Sequence, residues 1–384
     1  MTDKDHNPSS THPPLPPTSE DEQFSRLRLL RSRRVGVSTY ERLLTEYGTA
    51  QNALAALPEV ARAAGVQSYE TCPEPVIQAE LKAARAVRAR LLMQGTESYP
   101  APLDDLDDAP PFLWVIGDPS LLQRPMISIV GARNASSLGT RMASALARDL
   151  GAAGYVVVSG LARGIDAAAH LAALASGTIA VQAGGVDVIY PAENTEIAVN
   201  MAKSGLRLSE QPMGLQPMAR HFPSRNRIIA GLSRATVVVE AATKSGSLIT
   251  TRDALDLGRD VFAVPGHPFD ARAAGCNALI RDGATLVRSA ADVLEALAPL
   301  GKSTPQLPLP LPEAARPRPP ARPRQVRSQA VSRATWSMPR RVSTWRRPSA
   351  SSTPLAVRAA RSPERVTLNS WRDSAPPSSR SSRR

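Results

Sequence analysis

The sequence predicts an α/β fold, in which a parallel sheet carries helices on both faces, with a small all-helical domain before it and a disordered, basic C-terminal tail after it. Three observations predict this. Short β-rich runs alternate with Ala-rich helical stretches from about Gln94 to Leu297, which is typical of βα units. Upstream, apolar residues recur at helical spacing. From Gly301 onward, proline, arginine and serine dominate and no apolar periodicity remains.

Residues 1–20 are polar and rich in proline, serine and threonine, so we expect them to be disordered. They contain no apolar signal-peptide core, and no run of about 18 apolar residues occurs in the chain, which argues against export and membrane insertion. Cys72 and Cys276 are too few and too far apart for a disulfide framework or a zinc site. We therefore expect a cytoplasmic protein with no metal and no cofactor.

Residues 21–93 have a helical pattern. The stretch VGVSTYERLL combines a glycine-containing turn with a helix that Ser38 could cap, as in SAM-like and helix-hairpin-helix modules that meet a DNA backbone. A plain packing bundle explains the same residues and is the favoured interpretation.

Residues 94–299 form the predicted sheet domain. The predicted strands are 112–116, 126–130, 155–159, 178–181, 206–209, 235–239 and 260–264. Predicted helices begin at Ser137, Ile165, Asn194, Ser247 and Ala290. Most of the candidate binding residues lie in the loops after strand ends, where open α/β sheets bind their ligands.

The formal charge of +13 is concentrated at one end of the chain. Residues 301–384 hold 17 Arg and one Lys against three acids, a net +15, which leaves −2 on residues 1–300. Any nucleic-acid site in the folded part must therefore be a local patch. The 14 prolines among residues 300–384, with scattered tryptophans, resemble an out-of-frame translation, and we hypothesise a frameshifted C-terminus.

The first loop reads GARNASSLG. Gly131 permits a tight turn, a helix opens near Ser137, and Arg133 adds a planar fork of donors, a combination suited to a phosphate. The dinucleotide fingerprint GxGxxG is absent, which excludes a dinucleotide-dependent oxidoreductase.

The second loop, SGLARGIDAAAH, contains Ser159, Gly160 and Arg163. Asp166 falls in the first turn of the following helix, where its negative charge interacts favourably with the helix dipole. His170 invites a catalytic interpretation, but no nucleophile is paired with it by any motif, so a packed histidine is favoured. We predict no catalytic residues.

The third loop, QAGGVDVIYPAEN, and the fourth, which begins with HFPSRNR, add aromatic rings. Tyr190 could stack on a base or belong to the core. In HFPSRNRIIAGLS, a phenylalanine and two arginines have the composition of a single-strand site, although Phe222 could be buried and an arginine could pair with Glu240. Lys244 is a phosphate contact or a solvated loop residue, and the helix at Ser247 offers another anion nest. The candidate DNA contacts are Gly131, Arg133, Ser137, Ser159, Gly160, Arg163, Phe222, Arg225, Asn226, Arg227, Lys244, Ser245, Gly246 and Ser247.

Seven motifs in order resemble the DNA processing protein A family, also called Smf. They are GARNASSLG, SGLARGIDAAAH, GG-x-D-x-x-YP-x-EN, HFPSRNRIIAGLS, VVVEA-x-x-x-SGSLIT, FAVPG and GCNALIRDGA. The resemblance spans about Tyr99 to Leu297. It implies an extended Rossmann-like core that forms a homodimer, protects incoming single-stranded DNA during natural transformation and helps load the recombinase RecA on it. Arg133 matches the family's pocket arginine.

Two departures from the family stand out. Ala192 replaces a lysine that some members carry, and the basic tail stands where many members have a winged helix. The main alternative is an enzyme, a phosphoribohydrolase of the lysine-decarboxylase-like group. Its PGGxGTxxE loop corresponds here to EAATKSGSLITTRDA, which lacks the following Glu, so glycosidic cleavage is disfavoured.

Overall fold

The computed structural model describes residues 20–298, and the predictions for residues 1–19 and for the tail lie outside this range. Four helices come first, in the region predicted to be helical. They are α1 (Glu20–Arg31), α2 (Val37–Tyr47), α3 (Ala50–Ala63) and α4 (Glu74–Ala86). Thr49 caps α3 by accepting a hydrogen bond from the Asn52 amide at 3.2 Å, while Ser38, the expected cap of α2, lies inside that helix and Gly36 is at its N-cap.

The helices pack on the strand Phe112–Gly117 through one apolar cluster that includes Leu27, Leu43 and Trp114. A buried carboxylate fixes the contact: Glu80 on α4 accepts hydrogen bonds from Arg31 at 2.9 and 3.1 Å and from the Trp114 indole at 2.8 Å. Because a buried carboxylate is costly unless it is paired, these three bonds hold α1, α4 and the strand in one arrangement.

Nine strands form one sheet in residues 20–298. They are β1 (Arg90–Met93), β2 (Phe112–Gly117), β3 (Met126–Gly131), β4 (Val156–Ser159), β5 (Thr178–Val181), β6 (Leu206–Ser209), β7 (Ala235–Val239), β8 (Asp260–Ala263) and β9 (Thr285–Leu286). Their order is β1-β2-β6-β5-β4-β3-β7-β8-β9. The parallel prediction is confirmed for the strands that run from β6 to β9 in sheet order. Strand β2 pairs antiparallel with both of its neighbours, β1 and β6. No α-helix separates β1 from β2, and a parallel pair needs such a crossover.

Seven further helices cover the sheet within the described residues. They are α5 (Ser137–Ala152), α6 (Ile165–Ala173), α7 (Thr195–Ser204), α8 (His221–Leu232), α9 (Ser247–Asp256), α10 (Ala274–Arg281) and α11 (Ala290–Leu297). The chain runs outward from β3 to β6 and then returns to place β7 on the other side of β3. Such a reversal opens a crevice between the loops after the two strands.

His170 is part of the core, as the favoured interpretation predicts. Its side chain is fully buried on α6. Nε2 accepts the Leu161 amide at 3.3 Å, so Nδ1 carries the proton and donates to the Thr178 hydroxyl, which donates in turn to the Val157 carbonyl. Burial, helped by the charge of Arg225, lowers the pKa of His170 to about 3.

Because His170 is buried in its neutral form, we expect the free energy of unfolding to fall at acidic pH. In the unfolded chain His170 is protonated below about pH 6.5, whereas in the native protein it stays neutral down to about pH 3. The free energy of unfolding should therefore fall by up to about 1.4 kcal/mol per pH unit across that window. Urea unfolding at pH 7 and pH 5 tests this. His170→Gln should lose less stability between the two pH values than the unmodified protein, and an equal loss would contradict the assignment.

Candidate nucleic-acid interface

A crevice of about 750 Å³ lies at the carboxyl ends of β3 and β7, where the strand order reverses. It brings together residues from loops that are far apart in sequence. Predicted contacts lining it are Gly131, Arg133, Phe222, Arg225, Asn226, Lys244, Ser245, Gly246 and Ser247. A small adjoining cavity includes the predicted Gly160 and Arg163 together with Tyr190 and shares Arg133 and Phe222 with the crevice. The four predicted loops therefore meet at one place.

Gly131 ends β3 where the chain has no room for a side chain. A Cβ there would lie 1.9 Å from the Val239 carbonyl oxygen and 2.7 Å from the Ile165 side chain. This close approach lets β3 pair with β7 to its last residue and turns the chain so that Arg133 stands at the mouth of the crevice.

The helix start at Ser137 does not serve as the expected phosphate site. The Ser136 amide and hydroxyl both donate to the Glu240 carboxylate, the amide at 2.9 Å, and the Ser136 hydroxyl in turn accepts the Gly139 amide at 3.0 Å. An acidic side chain from the β7 loop thus occupies the N-terminus of α5, where a negative charge is favourable. Ser137 does not line the crevice.

Arg225 lies at the buried base of the crevice, with 5% of its surface exposed. Its Nη1 donates to the Val181 carbonyl at 2.6 Å, and Nε has no hydrogen-bond partner in the described part of the chain. Burial lowers the pKa of Arg225 to about 10 against the opposing pull of Asp166, so the guanidinium remains charged at neutral pH. Gly160 makes room for it, because a Cβ there would lie 2.0 Å from Nη1.

Asp166 faces the same crevice and was not among the predicted contacts. Its Oδ2 accepts the Gly160 and Ala162 amides at 3.1 and 3.3 Å. Burial raises the pKa of this carboxyl, and Arg225 opposes the rise. The expected role at the start of α6 is thus combined with organising the loop after β4, where the amide bonds fix Gly160 against Arg225.

Two aromatic rings and a guanidinium form the rim. Tyr190 is 52% exposed, which excludes the core interpretation, and its ring lies 5.9 Å from that of Phe222. The Arg133 guanidinium sits 5.1 Å above the Phe222 ring, within the range of a cation–π contact. Phe222 is half-buried rather than enclosed, so both rings offer area on which a planar group could stack.

Charge at the rim is positive and largely uncompensated. Arg133 and Lys244 are exposed and have no carboxylate partner within residues 20–298. Arg163 lies 3.6 Å from Glu193, and both side chains are mostly exposed, so that pair is weak. The Ser245 and Ser247 hydroxyls lie 2.7 Å apart at the start of α9.

Two other predicted contacts lie away from the crevice. Ser159 is fully buried and its hydroxyl donates to the Ile129 carbonyl at 2.7 Å. Arg227 projects from the opposite side of α8 and pairs with Asp108 at 2.7 Å and Glu210 at 2.8 Å. The alternative in which an arginine pairs with Glu240 is not found in residues 20–298, where the Glu240 carboxylate binds Ser136. We leave Ser137, Ser159 and Arg227 out of the proposed contacts.

Arg272 lines the crevice from the loop after β8 and was missed. It pairs with Asp270 at 2.9 Å. No helix-start or strand signal marked this stretch, because α10 begins after Ala273 without a side-chain cap.

Other site types find no support in residues 20–298. No cluster of three metal-ligating side chains occurs there, and both cysteines are free and buried. No helix in the same range is long and apolar enough to cross a bilayer.

Comparison with known proteins gives consistent similarities. The model of DNA recombination-mediator protein A matches residues 90–298, and that of the DprA-like N-terminal HHH domain matches residues 20–83. DNA processing protein DprA of Streptococcus pneumoniae is 46% identical over 52% of this chain and 71% of its own length. That of Bacillus subtilis is 44% identical over 58% of this chain and 76% of its own length.

Solved structures show the same similarity. The crystal structure of DNA processing protein A from S. pneumoniae superposes with a TM-score of 0.61 at 36% identity, over 71% of this chain and 97% of that one. A structure of the Helicobacter pylori protein, which concerns its single-stranded DNA binding mode, gives 0.51 at 31% identity, over 55% and 95%.

Proposed function

Because this chain belongs to the DNA recombination-mediator protein A family, also called DNA processing protein A or Smf, we propose that its crevice binds single-stranded DNA without reading the sequence. The observation that carries the proposal is the rim, where Phe222 and Tyr190 stand beside the uncompensated charges of Arg133 and Lys244. Stacking rings beside cations bind any unpaired base and its phosphate, whereas duplex bases are hidden from the rings.

The roles follow from position. Arg133, Lys244 and the amides of the Ser245–Ser247 turn contact phosphates at the mouth, and Arg225 supplies a fixed charge at the base. Phe222 and Tyr190 stack on bases. Asp166 is a positioning residue, since its bonds to the Gly160 and Ala162 amides hold the loop that borders Arg225.

Gly160→Ala tests this assignment without removing any charge. The added methyl would occupy the place of the Arg225 guanidinium, so single-strand affinity should fall about tenfold or more, the scale of a charge-assisted contact. Fluorescence anisotropy with a labelled oligothymidylate measures it. Ser204→Ala is the control, because Ser204 is exposed at the end of α7 and does not line the crevice. Unchanged affinity in a folded Gly160→Ala protein would remove Arg225 from the site.

We further propose the roles that the family resemblance implies: a cytoplasmic homodimer that protects single strands during natural transformation and helps load RecA. Light scattering would contradict the dimer by giving the mass of one chain. RecA assembly on single-stranded DNA, followed with and without the protein, would contradict the loading role if the rate did not change.

The enzyme alternative is not favoured. The matched relatives are named for DNA processing, and the segment that enters α9 lacks the Glu that follows the glycine-rich turn in the PGGxGTxxE motif. We propose binding and positioning without catalysis.

A further inference from the structure

Phe269 is the most exposed large apolar side chain of the described residues, at 94%. Among the phenylalanines, tyrosines and tryptophans of residues 20–298, only Tyr190 and Phe269 are exposed, and Tyr190 belongs to the rim of the crevice. A single exposed apolar residue is ordinary by itself. Phe269 differs in two respects: hydrogen bonds fix the loop that carries it, and that loop lies beside the crevice.

The loop that carries Phe269 is braced at several points. Asn277 holds Gly266 from both sides, with Oδ1 accepting the amide at 3.1 Å and Nδ2 donating to the carbonyl at 3.0 Å. Asp270 binds the Arg272 side chain through both carboxylate oxygens. The His267 ring packs 5.5 Å from Phe269 and its Nδ1 accepts the Phe269 amide. The ring is therefore presented outward by a fixed turn.

This loop borders the crevice. It follows β8, and Arg272, three residues beyond Phe269, lines the crevice itself. In the sheet β8 is separated from β3 by β7 alone, so the β8 loop begins about 10 Å along the edge from the loop that carries Arg133. The rings of Tyr190 and Phe222 lie toward the β4 side of β3, and Phe269 belongs to the other side.

We propose that Phe269 is a second stacking platform for single-stranded DNA, which continues the path that begins at Phe222 and Tyr190. This rests on the proposed function and extends it. The single-stranded DNA crosses the row formed by the carboxyl ends of the β-strands. Its phosphates pass Arg133 and Lys244, and a base beyond them stacks on Phe269. The exposed ring then gains in the complex the burial that it lacks in the free protein.

The test compares full-length Phe269→Ala, Phe269→Leu and Phe269→Trp with the unmodified protein in anisotropy titrations of a 20-nucleotide oligothymidylate. Alanine and leucine should both weaken binding, by about 5- to 150-fold, because stacking on one base has that range, and tryptophan should preserve it. The loss should persist as salt rises, since stacking carries no counterion term. Leu171→Ala, which removes an apolar side chain 54% exposed on α6, is the control and should bind normally.

Unmodified protein that binds the oligonucleotide while Phe269→Ala binds equally well would overturn this inference and leave the proposed function intact. Failure of the unmodified protein to bind would overturn the proposed function as well. A leucine variant with normal affinity and an alanine variant with a smaller mass by light scattering would show that Phe269 contacts another copy of the chain, which also overturns it.

Discussion

Arg133→Ala should weaken single-strand binding by about 1.5 to 3 kcal/mol, about 10- to 150-fold, because it removes a charge-assisted contact. The guanidinium is exposed, has no carboxylate partner in the described range and lies over Phe222. It is therefore free to meet a phosphate. Anisotropy titrations at several salt concentrations measure the loss, and the slope of log affinity against log salt should drop by about 1.

Arg148→Ala is the matched control for this change. Arg148 is an exposed arginine on α5 that pairs with Asp149 and does not line the crevice. Both variants should keep the unfolding transition of the unmodified protein, since surface substitutions rarely change it. Full affinity in a well-folded Arg133→Ala protein would take Arg133 out of the site, and equal losses in both variants would mean that net charge alone drives binding.

Gly131→Ala should destabilise the protein by about 3 kcal/mol or more, because the methyl would collide with the backbone carbonyl of Val239 at 1.9 Å. The colliding atom belongs to the paired strand β7, so it cannot move aside without breaking the ladder between β3 and β7. Urea unfolding followed by circular dichroism measures the loss. Gly36→Ala, whose added methyl meets nothing within 4 Å, should cost no more than about 1 kcal/mol for a change at an N-cap position. A loss in Gly131→Ala no larger than this would contradict the close approach of β3 to β7.

Sequence patterns predicted well the strands and the loops at their ends that together form the site. Buried runs such as that ending at Val130, each followed by a glycine-rich loop, placed the loops after β3, β4 and β7 at strand ends. The parallel strands then bring those loops to one edge of the sheet. Arg133, Phe222 and Lys244 therefore meet although they are far apart in sequence. The strand bounds agree to within one residue where strands were predicted.

The remaining details depend on contacts that no local pattern encodes. Helix α8 was taken for a loop, because Arg220 at its start offers no side-chain cap and Pro223 falls in its first turn. On a helix, residues two apart point to opposite sides, so Arg225 enters the crevice while Arg227 pairs with Asp108 and Glu210.

Glu240 gives the second example. Its sequence position after β7 allowed a pairing with an arginine, but the packing of α5 beside β7 brings it to the Ser136 amide. β1 and β9 were missed because they are short strands near or at the sheet edge, and β9 has only two residues. Their pairing is decided by neighbours rather than by alternation within the strand.

The most direct test of the central claim is a salt series of anisotropy titrations on residues 20–298, set beside the full chain, with single- and double-stranded oligonucleotides of equal length. If the crevice is the binding site, residues 20–298 should prefer the single strand and lose affinity as salt rises. Binding by the full chain alone, with none by residues 20–298, would place the affinity in the basic tail and contradict the account.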